Sequence, residues 1–194
     1  HDLSKASPSF QFIQGYPYSR DLDQELIERL NREGFGLAEE PPPLAPEKSP
    51  HGLGGYLLLK KAGVNEGLAS VVGAHHGQLN ISPREAENFI EAYPTNFYLV
   101  QDKDSPIYKK WQAQQKQILD WALVSSGFES VEDLPKVNQP GLVLLSGLVI
   151  MADWIASNEE YFPLMDLYDT RLPKARERIE LGFQKWHKSG QWLP

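Results

Sequence analysis

Three short segments, far apart in the chain, set the strongest constraint on how it can fold. Residues 1–6 read His-Asp-Leu-Ser-Lys-Ala, residues 74–78 read Ala-His-His-Gly-Gln, and residues 151–158 read Met-Ala-Asp-Trp-Ile-Ala-Ser-Asn. His1, Asp2, His75, His76 and Asp153 are the residue types that bind two divalent metals. They lie on three separate segments, so only folding can gather them. Gathered, they point to hydrolysis of a phosphate ester.

Each segment has a plainer reading when taken alone. His1 and Asp2 could be a surface pair near a terminus. If they start a helix, Lys5 shares a face with His1, and imidazole, carboxylate and ammonium border one pocket. Asp2 has two carboxylate oxygens and can then bridge two metals about 3.5–4 Å apart. His75-His76 could be one buried and one exposed histidine. Gly77 ends their helix, however, and at a loose helix end both rings can reach one ion. Asp153 could reach solvent at a helix end. It follows an apolar run, though, and a buried carboxylate needs a cation partner. His51 opens a helix beside Gly52, Gly54 and Gly55, which permit close backbone approach; only the other candidates lift it above an exposed first-turn histidine. His187 reads as an exposed histidine near a helix C-terminus.

Composition narrows the chemistry. The 194 residues include no cysteine, which removes disulfides, thiolate nucleophiles and thiolate metal sites. It also fits a cytoplasmic protein. Imidazole and carboxylate ligands suit Fe, Mn, Co, Ni or Zn. A formal net charge of −7 gives none of the basic footprint of a free-standing nucleic-acid binder. Two divalent ions would add four positive charges where a phosphate sits, and strong DNA affinity would come from a partner domain. No membrane span and no signal peptide are expected. The Gly-x-Ser-x-Gly elbow and the Gly-x-x-x-x-Gly-Lys loop are both absent. The chain opens on His rather than Met, which reads as a processed, trimmed or renumbered chain.

Helical periodicity dominates, and the expected fold class is all-α, in a single domain of residues 1–194. The pattern predicts helices over 1–14, 21–32, 50–62, 65–76, 105–125 and 173–188, with a loop over 39–50 and another over 127–139. Ser82-Pro83-Arg84-Glu85 reads as a capping box. Residues 142–156 are apolar nearly all round, the pattern of a buried central helix. Trp111 and Trp154 read as core. The best basic cluster is Lys174, Arg176, Arg178 and Lys185.

Together these pieces resemble the HD-type nuclease domain of the CRISPR-associated helicase-nuclease of type I interference. The resemblance spans residues 1 to about 160. It rests on His1-Asp2-Leu3-Ser4-Lys5-Ala6 with the trailing Phe10-Gln11, the lone His51, Ala74-His75-His76-Gly77-Gln78, and Ala152-Asp153-Trp154-Ile155-Ala156-Ser157-Asn158. It implies an HD-domain helical bundle with a two-metal site at its centre. Asp2 would bridge the ions, His1 and Asp153 would hold the first, and His51, His75 and His76 the second. Lys5 would act near the scissile phosphate. The implied substrate is single-stranded DNA, and the implied partners are a helicase domain or subunit and the CRISPR surveillance complex. Two departures stand out: the commoner motif has Gly at the place of Ser4, and the family carries a further metal-binding His on a helix before the His-Asp motif. That N-terminal helix and the helicase part are not among these residues. Two other readings use the same fold: a phosphohydrolase acting on nucleotides or cyclic nucleotides, and a non-catalytic adaptor docking on a CRISPR complex.

Overall fold

The structure is a computed structural model, and it describes residues 1–12, 20–36, 44–77, 79, 81–164 and 175–189. Every described element is helical, as the periodicity predicts. In chain order the helices are α1 (Pro8–Gln11), α2 (Arg20–Arg32), α3 (His51–Lys61), α4 (Glu66–Gly73), α5 (Pro83–Ala92), α6 (Pro94–Tyr98), α7 (Pro106–Ser125), α8 (Gln139–Ala156) and α9 (Ala175–Ser189).

The first helix expected, over 1–14, is broken in two. A 3-10 turn covers Leu3–Lys5, and α1 begins at Pro8 behind the extended Ser7. The reason is local: proline cannot donate the bond that a continuous helix needs, and it drives the preceding residue to extended backbone. Residues 13–14 of that expectation lie outside the described residues. Elsewhere the start signals act as their chemistry dictates. Ser82 and Glu85 form the reciprocal capping box, and Asn65 caps α4 by accepting from the Leu68 amide at 3.1 Å. The 127–139 stretch holds one short turn, Val131–Asp133.

The core gathers around α3, which is buried from Gly54 to Leu59. Phe97, Tyr98 and Leu99 of the α6 region and Trp111 of α7 close it, each no more than 2% exposed. Trp111 donates from Nε1 to the Phe35 carbonyl at 3.0 Å, so the expectation that it belongs to the core holds. Close approach is set by glycine. A Cβ at Gly54 would stand 2.8 Å from the Ser4 side chain, and one at Gly52 2.8 Å from the Gly73 carbonyl oxygen. The His-Asp turn and α4 can therefore lie directly against α3.

Helix α8 departs from expectation. One side packs on α4 and carries Asp153 inward. The other side exposes Val143, Leu144, Leu148, Met151 and Trp154, with Leu144 at 76% and Trp154 at 65%. The helix is not central and Trp154 is not core. Apolarity all round tells what a surface can bury, not which neighbour covers it. α8 is also long and apolar enough, by length and composition, to cross a membrane, contrary to the expectation that no segment is. Its packing on α4 and its buried Asp153 assign it to this bundle.

Two core tyrosines carry a pH prediction. Burial, then the bonded Glu66 carboxylate, pushes the Tyr56 hydroxyl up to about 12. Burial and the Glu91 charge push Tyr98 up to about 12 as well. Folding favours the neutral phenols, so their contribution is complete below the ordinary value near 10 and is lost as pH rises toward 12. An absorbance titration paired with circular dichroism should show these two ionising only as helicity falls. If all eight tyrosines titrate near pH 10 with the helices intact, the assignment is wrong.

Candidate metal centre

Four elements converge on one spot. The Leu3–Lys5 turn lies against α3, and α8 packs on α4. This brings the start of the chain, the first turn of α3, the turn after α4 and the end of α8 together. His1, Asp2, His51, His75, His76 and Asp153 all meet there.

Ligand-type atoms face one another in two groups, His51–His75–His76 and His1–Asp2–His75; within each group they lie within 4.8 Å of one another. The His51 Nε2 stands 3.2 Å from that of His75 and 2.8 Å from that of His76. Ligands on one tetrahedral ion with metal–nitrogen bonds of about 2.0–2.1 Å are separated by about 3.3 Å. On the other side, His1 Nε2 is 3.1 Å from Asp153 Oδ1 and 3.3 Å from Asp2 Oδ2. Asp2 stands between the groups, its Oδ1 3.7 Å from His51 Nε2. His76 Nδ1 is 3.9 Å from Asp153 Oδ2, so the two sides also touch there.

The donors are prepared for a cation. His75 is 2% exposed, and its Nδ1 donates to the Val72 carbonyl at 2.5 Å, which leaves Nε2 as the free lone pair. Burial, then His76 and Lys5, hold the His51 pKa below its ordinary value, outweighing the Asp2 carboxylate. That shift favours the neutral ring, the form that ligates. Asp153 is 8% exposed. Asp2 Oδ1 is buried and has no hydrogen-bond partner. An orphaned buried polar atom costs about 1–3 kcal/mol, more when charged, and a divalent ion between the two groups would remove that cost. The residues fit such ions.

Lys5 donates to Asp2 Oδ2 at 2.9 Å, so its ammonium lies at the rim as its spacing from His1 suggests. Four side chains with weak sequence signals make positioning contacts. Ser4 Oγ donates to the His51 carbonyl at 2.6 Å, tying the His-Asp turn to α3; this is what the hydroxyl does where the commoner motif has glycine. Gln11 Nε2 donates to the Lys5 carbonyl at 2.8 Å, and Phe10 meets the His51 ring edge at 5.6 Å, which gives the Phe-Gln pair a physical role. Buried Gln115 donates to the carbonyls of Ala6 and Phe97 at 2.9 and 3.0 Å. Its signal was a polar residue four places after Trp111 on an apolar stripe.

His187 is exposed near the end of α9, as its place suggests, and plays no part here. The basic cluster does not stand as a free patch. Arg176 pairs with Glu180 at 3.1 Å. Arg178 donates to the Pro163 carbonyl at 3.0 Å and Lys185 to that of Glu160 at 3.4 Å. Lys174 lies outside the described residues.

A family profile described as "Cas3, HD domain" matches residues 1–162. A curated relative, the CRISPR-associated nuclease/helicase Cas3 of Streptococcus thermophilus, is 46% identical over 194 residues. The alignment covers all of this chain and 21% of the relative, so the chain spans about a fifth of that protein's length. No solved structure matches. The matched span runs from His1 past Asp153 and takes in every candidate ligand, and this chain belongs to the Cas3 HD domain family.

Proposed function

We propose that this chain hydrolyses phosphodiester bonds of single-stranded DNA at a centre of two divalent transition metal ions, as the nuclease part of a type I CRISPR effector. The observation that carries this reading is Asp2, whose buried, unpartnered Oδ1 stands between a His1–Asp153 pair and a His51–His75–His76 trio. In this reading His1 and Asp153 would hold one ion, the three histidines would hold the other, and the Asp2 carboxylate would serve both. The ions, of Fe, Mn, Co, Ni or Zn, supply Lewis-acid polarisation of the phosphate and a more acidic water.

The chain's own residues supply the rest. The Val72 carbonyl fixes the tautomer of His75. Lys5 orients the Asp2 carboxylate, and its ammonium favours the charge that builds on the phosphate oxygens or gives a proton to the leaving oxygen. A helicase, which the Streptococcus relative carries in its name, would deliver the strand, with the surveillance complex upstream of it in the cytoplasm. The polymer reading is preferred over a nucleotide phosphohydrolase because the centre borders a groove open to solvent rather than a closed pocket.

The test is chelation followed by return of Mn²⁺ or Co²⁺, scored on a labelled DNA strand and, in parallel, on cyclic and free nucleotides. Cleavage of the strand alone, lost on chelation and restored by metal, is the expected result. Turnover of the nucleotides with the strand left whole would hand the site to the phosphohydrolase reading. Metal bound with neither turned over would favour the adaptor.

A further inference from the structure

A groove of about 1000 Å³ runs from the metal centre along α5. His51 and His76 form one end of its wall, and α5 forms the other wall with Arg84, Asn88 and Phe89. Tyr93, which directly follows α5, and Lys48 line it as well. Small-molecule pockets occupy about 300–1,000 Å³ and enclose most of their ligand. This groove has the upper size, yet Lys48, Pro50, Gly77, Arg84 and Asn88 along it are exposed. It suits a segment of polymer.

Its chemistry is that of a strand-binding surface. Phe89 and Tyr93 stand side by side, ring centroids 5.0 Å apart and 37° between planes, both half-buried. Lys48 and Arg84 are cations that make no ion pair among the described residues, unlike Lys5, Lys60, Lys109, Lys116 and Arg176. The groove's acids are Glu47 and Glu85. Glu85 is occupied, accepting from the Ser82 amide and hydroxyl at 3.0 and 2.6 Å. Aromatic faces with free cations beside them bind single strands by stacking and phosphate contact, without needing a basic protein overall.

We infer that the α5 groove holds the single strand next to the scissile phosphate, with a base on the Phe89–Tyr93 pair and phosphate oxygens at Arg84 and Lys48. The inference rests on the nuclease reading above and adds to it the surface that positions the strand. It also separates two functions in space: the histidines and aspartates act on any phosphodiester that reaches them, whereas α5 selects polymers.

The experiment uses the protein as encoded, loaded with Mn²⁺, and two variants, Arg84→Glu and Tyr93→Ala. Phe89 packs on the core and is left in place. Anisotropy with a labelled oligothymidine reads binding. Hydrolysis of bis(p-nitrophenyl) phosphate reads the centre without the groove, and bound metal is measured directly. Each variant should weaken oligothymidine binding about tenfold and slow strand cleavage in step. Hydrolysis of the small diester and metal content should stay unchanged. Arg84→Glu should also lower the salt dependence of binding. Undiminished strand binding in both variants overturns the groove and leaves the nuclease reading standing. A wild-type chain that cleaves neither substrate overturns the nuclease reading, and the anisotropy arm still decides the groove.

Discussion

Asp2→Asn should lower metal-dependent strand cleavage on the order of 10³-fold or more, with the helices intact. Removing one preorganised charge-stabilising group from an active site typically costs 10²–10³-fold, and Asp2 serves more than one. Its Oδ2 takes the Lys5 ammonium at 2.9 Å and approaches His1, while its buried Oδ1 faces His51. Asparagine keeps the shape but loses the charge and offers one oxygen. Bound metal should fall along with activity. The checks are metal content by elemental analysis, single-turnover cleavage and circular dichroism. A variant that retains its metal and cuts at a tenth of the native rate or better would remove Asp2 from the bridging position.

Linkage to a helicase should raise the cleavage rate on the order of 10²–10⁴-fold, the range by which tethering raises effective binding. Beyond the α5 groove, the isolated chain has little to hold DNA with. Its net charge is −7, and Arg176, Arg178 and Lys185 are spent on Glu180 and on backbone carbonyls. A motor that threads a strand past the centre replaces that missing affinity with local concentration. Rates on one labelled strand, with and without the helicase and ATP, decide the matter. Tight binding and full-rate cutting by the isolated chain would refute the dependence.

Much of this is legible in the residues because metal ligation accepts so few side chains. Histidine and aspartate at positions 1, 2, 51, 75, 76 and 153 are ligand types whose combination in a cysteine-free chain outweighs their separate readings, and the structure does gather them. Capping signals are legible for a similar reason: Ser82 and Glu85 act within four residues of each other. What is not legible depends on distant neighbours. Ser4 reaches the His51 carbonyl 47 residues away, and Gln115 reaches Ala6 across 109. No local pattern encodes such a partner. The exposed face of α8 fails for the same reason, since its hydrophobicity is visible in the sequence but its covering is not. The break before α1 could have been read from Ser7-Pro8, where local backbone sterics outweigh helical periodicity.

The pairing of His1 with Asp153 spans 152 residues, and this fixes the order in which the protein comes into being. A ribosome adding about 5–20 residues per second needs roughly 8–30 s to travel between them. Throughout that interval the histidine trio can form, since α3 and α4 are close in sequence, but its aspartate counterpart has not been made. Under the nuclease reading proposed above, the nascent polypeptide would lack one ligand of its centre until residue 153 is added.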